Sequence, residues 1–152
     1  MLYITTSRKP SNRTRSFCKF LSHVLRAKYE GRGKKSVDEI FERAAQLGFR
    51  RVLVVWEANG NPARLSFLTA GRAEWKWLSP ELRIRGVTMP TKLPRLPHEI
   101  RITAAPEIAE LFDLPEPLGD DYVELKITAD EMVFSYGKKQ IGKITIKMER
   151  PA

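Results

Sequence analysis

The chain opens Tyr3-Ile4-Thr5-Thr6-Ser7-Arg8-Lys9-Pro10-Ser11-Asn12-Arg13-Thr14-Arg15, and no other stretch limits its fold so much. Tyr3 to Thr6 are β-branched or aromatic, which suits a pleated strand. Pro10 cannot donate to a strand ladder and biases Lys9 toward extended backbone, so the chain turns there. Ser11 or Asn12 then caps a helix by accepting a bond from its first turn. Phe17, Phe20, Leu21, Val24 and Leu25 recur with period 3.6, which predicts one apolar helix face running on to about Tyr29. The loop and the opposite face carry Arg8, Lys9, Arg13, Arg15, Lys19 and Arg26. A helix N-terminus presents free N–H groups and a partial positive charge to anions. This block therefore reads as a phosphate-binding site.

Charge is concentrated in the same place. Residues 1–35 hold ten Lys or Arg and one acid, Glu30, for a net of +9. The whole chain has 27 basic and 18 acidic residues, which leaves seventeen of each sign for residues 36–152. Residues 99–131 reverse the balance, with ten acids against two bases. A polarised charge distribution of this kind points to a polyanionic partner at one end.

The 152 residues predict a single domain with an ordinary core. No run of eighteen apolar residues exists, so no membrane span is expected. The start lacks the apolar centre of a secretory leader, which makes a cytoplasmic location the expectation. Cys18 is the one cysteine and allows neither an internal disulfide nor a cysteine metal cluster.

Beyond the first helix, Gly31-Arg32-Gly33-Lys34-Lys35 reads as a flexible cationic loop, and Lys34 and Lys35 extend the basic track. Gly33-Lys34-Lys35-Ser36 lacks the earlier glycine and preceding strand of a nucleotide-binding loop. Ser36 and Glu39 form a capping box for a second helix that Gly48 stops. Arg51 to Ala58 predicts a central strand, Asn59-Gly60 a hairpin turn, and Arg64 to Ala70 the partner strand, ending at Gly71. Trp75 and Trp77 share one face if extended, as core or as a platform for stacked bases. Leu82 to Val87 alternates, with Arg83 and Arg85 together on the solvated face as a second basic patch.

After the proline-rich stretch Pro90 to Pro97, Glu99 to Ala104 followed by Pro106 repeats the opening order of strand, small residues and helix. Tyr122 to Ile127, Met132 to Tyr136 and Ile141 to Met148 then predict three antiparallel strands. The fold class is α+β, in two pseudo-symmetric strand–helix–antiparallel-sheet halves at about 1–90 and 98–152.

No catalytic constellation assembles. His23 and His98 are far apart in the chain without metal-ligand spacing, and His23 falls on the polar side of its helix. Gly119-Asp120-Asp121 reads as an acidic turn, since paired-metal chemistry needs more ligands. No nucleophile–base pair is evident. The chain is therefore expected not to be an enzyme and to need neither cofactor nor metal.

Ile4-Thr5-Thr6-Ser7-Arg8-Lys9-Pro10-Ser11, followed by Arg13 and Phe17, closely resembles the opening signature of Brix-domain proteins. Val123-Glu124-Leu125 and the strands after it resemble the close of the same domain. The resemblance covers residues 1–152 as one domain, and the compact length is similar to that of archaeal single-domain members. It implies a role in ribosome biogenesis, binding of ribosomal RNA or its precursors, and two halves similar to anticodon-binding domains of class II tRNA synthetases. It also places the family's basic loop on Arg8, Lys9, Ser11, Arg13 and Arg15. The expected function is a non-catalytic RNA-binding ribosome assembly factor in ribosomal RNA processing. The alternative is a protein-interaction module whose acidic segment 99–131 docks basic ribosomal or assembly proteins.

Overall fold

The computed structural model describes residues 2–70 and 74–150. In chain order the elements are β1 (Leu2–Thr6), α1 (Asn12–Val24), β2 (Lys28–Tyr29), α2 (Val37–Gln46), β3 (Arg51–Ala58), β4 (Asn61–Thr69), β5 (Lys76–Trp77) and β6 (Glu81–Thr88). They continue with β7 (Ile100–Thr103), α3 (Pro106–Phe112), β8 (Val123–Ile127), β9 (Glu131–Tyr136) and β10 (Lys139–Glu149). One mixed sheet runs β2-β1-β3-β4-β6-β10-β9-β8-β7, with β5 paired to β4. The strand end expected at Gly71 lies outside the described residues.

Side-chain alternation divides the core in two. Leu2 and Ile4 of β1, Leu53 and Val55 of β3, and Leu65 and Phe67 of β4 face a cluster built on α1 and α3. Their neighbours Tyr3, Val52, Val54 and Leu68 face the opposite side, where Ile40 and Ala44 of α2 cover them. A strand buried on both faces reads as a continuous apolar run, which is why Val52 to Val55 shows no alternation. Phe20 of α1 packs edge-on against Phe134 of β9 and Phe112 of α3 against Phe67 of β4, so the two helices tie distant strands together.

Two sets of four strands share one pairing order. β1–β3 is parallel and β3–β4 and β4–β6 are antiparallel; β7–β8 is parallel and β8–β9 and β9–β10 are antiparallel. The sets meet where β6 pairs with β10. Each follows a strand–helix opening, and both helices lie on the same face of the sheet.

Two expectations need correcting. α1 stops at Val24 rather than near Tyr29, because Arg26 takes a left-handed φ of 53° and Lys28–Tyr29 then pairs in parallel with Tyr3 and Ile4. Lys9 makes the turn itself at φ 52° rather than lying extended; the following proline chiefly disfavours the right-handed helical region. Arg83 and Arg85 are both exposed on β6, on either side of Ile84. The β6–β10 register shifts between Thr145 and Ile146 and leaves Arg85 unpaired in a bulge, which re-aims side chains.

Candidate nucleic-acid interface

β1 and β3 run parallel, so their carboxyl ends reach the same edge, where α1 begins. Ser11 caps α1: its Oγ accepts the Thr14 N–H at 3.3 Å and donates to the Gly60 carbonyl at 2.8 Å. The Ser11 N–H donates to Glu57 Oε1 at 2.7 Å, and the Thr14 hydroxyl donates to the same oxygen at 2.6 Å. Bonds from Ser11 and Thr14, with Arg15 nearby, hold the Glu57 carboxyl below the usual carboxylate range. The helix N-terminus thus already carries an intramolecular anion, and the polar atoms of Ser11 are committed inside the fold. Sequence reasoning missed Glu57, since only the parallel strand register brings it forty-six residues back to Ser11.

The cations around this carboxylate form two groups. In the first, the buried Arg32 donates from Nε to the Lys35 carbonyl at 2.9 Å and from Nη1 to the Thr6 carbonyl at 3.4 Å. Burial, and then the charge of Arg8, lower its pKa. Loop 31–35 is thereby pinned to the end of β1 through a guanidinium that sequence reasoning did not single out. Arg8 and Lys35 both act on the carboxylate of Glu39, which places them near one another. Arg8, Lys9 and Lys34 are exposed.

The second group borders a groove of about 780 Å³ where the β3–β4 hairpin diverges from β6. β4 and β6 pair only at Arg64–Arg83 and Leu65–Leu82. Beyond that point the gap is lined by Arg13 and Phe17 of α1, Asn61 of the hairpin, and Arg85 and Met89. Arg13 Nη1 donates to Asn61 Oδ1 at 2.9 Å, which steadies it at the groove wall. Arg85 sits at the β6 bulge and borders this groove. Two guanidiniums over an apolar floor can grip phosphates while a base or sugar packs below.

Other expected residues lie elsewhere. Arg15 and Lys19 are exposed one turn apart on α1, and Lys19 borders a different groove. Arg83 lies between Leu82 and Ile84, both of which pack into the helix-covered core, so it points to the other face; there it pairs with Glu149 at 3.8 Å. Trp75 and Trp77 are half-buried beside α2, on the face away from α1, with ring centroids 5.9 Å apart. The Trp75 indole N–H donates to Asp38. The two histidines, distant in sequence, border one groove, and His23 is held by the Pro94 carbonyl rather than solvated.

Several acids of segment 99–131 are engaged within the fold. Asp113 pairs with Arg50 at 3.1 Å and Glu131 with Lys143 at 3.4 Å, while Asp121 accepts from Tyr136. Among the described residues, no group of three His, Cys, Asp or Glu is placed to hold a metal, and no helix is long and apolar enough to cross a membrane.

No family model matches the chain. Over 111 residues, 72% of this chain and 50% of the relative, it is 32% identical to a probable Brix domain-containing ribosomal biogenesis protein of Thermococcus kodakarensis. The matched region spans half or less of the length of the curated archaeal relatives. Among solved structures, a probable ribosomal biogenesis protein from Aeropyrum pernix K1 matches with a TM-score of 0.72 and 26% identity, covering 99% of this chain and 96% of that one. Mil, an archaeal Imp4-like protein, matches with a TM-score of 0.74 and 26% identity, covering 97% of each chain. The opening signature, the sequence matches and the near-complete structural overlap agree: the chain is a homologue of archaeal Brix domain-containing ribosomal biogenesis proteins and shares the fold of archaeal Imp4-like proteins.

Proposed function

We propose that the chain is a non-catalytic RNA-binding factor of ribosome assembly, acting in ribosomal RNA processing in the cytoplasm. Its ligand is ribosomal RNA or a precursor. Arg8, Arg13, Arg15 and Arg85 grip phosphates, with Lys9, Lys19, Lys34 and Lys35 extending the cationic surface. The observation that carries the reading is the convergence of Arg13 and Arg85 on one groove, beside the Arg8–Arg32 pair. Phosphate contacts position an RNA and do not specify its sequence, so selectivity falls to shape and unpaired bases. In this reading, residues of about 1–90 and 98–152 are pseudo-repeats, each related to the anticodon-binding domains of class II tRNA synthetases.

Charge reversal tests the proposal. Changing Arg8, Arg13 and Arg15 to Glu takes residues 1–35 from +9 to +3. All three side chains are exposed, and such substitutions cost within about 0.5 kcal/mol each. The variant should melt near wild type and lose most RNA affinity. Reversing Lys138, Lys139 and Lys143 at the β9–β10 end should weaken binding much less. Equal binding by both triple variants would refute the assignment.

A further inference from the structure

A groove of about 830 Å³ opens at the C-terminal half of α1, between the segment leading into β7 and the residues after α3. Its apolar lining includes the buried Leu25 and Ile100. Two of its polar residues are fixed by the fold. His23 Nε2 meets the Pro94 carbonyl at 2.6 Å, and Arg26 Nε donates to the Pro97 carbonyl at 2.8 Å. These bonds hold the segment before β7 and leave the groove preformed.

Three further polar groups border the cavity. Lys19 and His98 are exposed, and neither side chain has a hydrogen-bond or ion-pair partner among the described residues. Glu99 is anchored through Oε2, which accepts the Leu118 N–H at 2.7 Å, while Oε1 has no hydrogen-bond partner among the described residues. An apolar cavity with a few convergent polar groups is the general form of a small-ligand site. Here the groups are an ammonium for a phosphate, an imidazole ring for stacking, and a carboxylate with lone pairs to spare. Lys19 also lies one helical turn from Arg15 and about 9 Å along α1 from Arg13, at 1.5 Å per residue. An RNA strand held at the basic end of α1 therefore reaches this groove within a nucleotide or two.

We propose that this groove seats one unstacked nucleotide of the bound RNA, with guanine preferred. Lys19 contacts its phosphate, His98 stacks on the base, and Glu99 accepts from the Watson–Crick edge. Guanine alone presents two adjacent donors there, N1–H and the N2 amine. Adenine and cytosine set an acceptor beside their amine, and uracil flanks its single donor with carbonyls. The inference deepens the RNA-binding reading and rests on it.

Five RNA hairpins test it, one fully paired and four carrying a single unpaired G, A, C or U, with binding to the full chain read by fluorescence anisotropy. The unpaired-G hairpin should bind at least about fivefold tighter than the others, the lower end of what a bidentate base contact contributes. Glu99→Gln, which keeps an acceptor for Leu118, should abolish the preference while leaving affinity for the paired hairpin unchanged. His98→Ala should reduce the advantage of every unpaired base over the paired hairpin. Equal affinity of wild type for all five RNAs overturns this inference alone, as does a guanine preference untouched by either substitution. A groove that seats a protein segment instead would give equal affinity for the five RNAs. A wild-type chain that binds none of the five overturns both this inference and the RNA-binding reading.

Discussion

Replacing Glu57 with alanine should weaken the fold and strengthen RNA binding, two effects of opposite sign from one carboxylate. In the folded chain Glu57 Oε1 accepts from the Ser11 N–H at 2.7 Å and the Thr14 hydroxyl at 2.6 Å, at the N-terminus of α1. Bonds to a charged group contribute about 1.5–3 kcal/mol each. The carboxylate is part-exposed, so the low end applies. With about 0.5 kcal/mol from the helix dipole, the loss is about 3.5 kcal/mol. For a chain of this size that lowers Tm by about 7–14 °C. Removing a negative charge about 10 Å from a bound phosphate, in high dielectric, relieves about 0.4 kcal/mol, or about twofold in affinity per phosphate at that distance. Thermal melting and anisotropy on Glu57→Ala measure the two effects, with Glu57→Gln expected between wild type and Ala in stability. A Tm within 2 °C of wild type, or RNA affinity that falls in a still-folded variant, would refute the reasoning.

Arg51→Met removes bonds from Nη1 to the Glu110 and Leu111 carbonyls at 2.5 and 3.0 Å. The Glu110 carbonyl keeps the Asp113 N–H at 3.2 Å, while the Leu111 carbonyl is left unsatisfied, so the change should cost about 1–3 kcal/mol in denaturant titration without changing RNA affinity. Gly142→Ala would put a methyl carbon 2.6 Å from Phe20 Cζ and 3.0 Å from the Thr88 carbonyl. Phe20 is buried against Phe134 and cannot swing clear, so a loss of about 1–3 kcal/mol is expected by melting. Glu30 is held at about 2 by its bond from Arg43, then by Tyr3. A depressed carboxyl stabilises above its unfolded pKa and stops doing so as pH falls through the folded value. Acid titration should therefore show stability lost between about pH 4.5 and 2, and Glu30→Gln should flatten that part of the profile.

The opening block was legible because its signals agree locally. Strand formers, Pro10, the Ser11 cap and the period of Phe17 to Leu25 all point to one strand–turn–helix, and β1 and α1 begin as expected. The capping box at Ser36 and the Asn59-Gly60 turn were equally local and equally clear. Contacts set by sheet register were hidden. Glu57 reaches Ser11 through the parallel β1–β3 pairing, and Arg85 falls at a bulge in β6 that only the pairing with β10 defines. The helix overshoot to Tyr29 has the same origin, since the apolar period runs on while a two-residue strand pairs with β1. Arg32 looked like one more loop cation. Only the carbonyls of Thr6 and Lys35 give it a buried place.

Salt dependence tests the central claim most directly, because it counts phosphates. Log affinity for a single-stranded RNA should fall linearly with log salt, with a slope near −3.5 for about five neutralised phosphates. Arg13→Gln combined with Arg85→Gln, in a chain that still melts near wild type, should make that slope shallower by about 1.4. A slope unchanged by removing both guanidiniums, or a flat response in the wild-type chain, would contradict an RNA site at the head of α1.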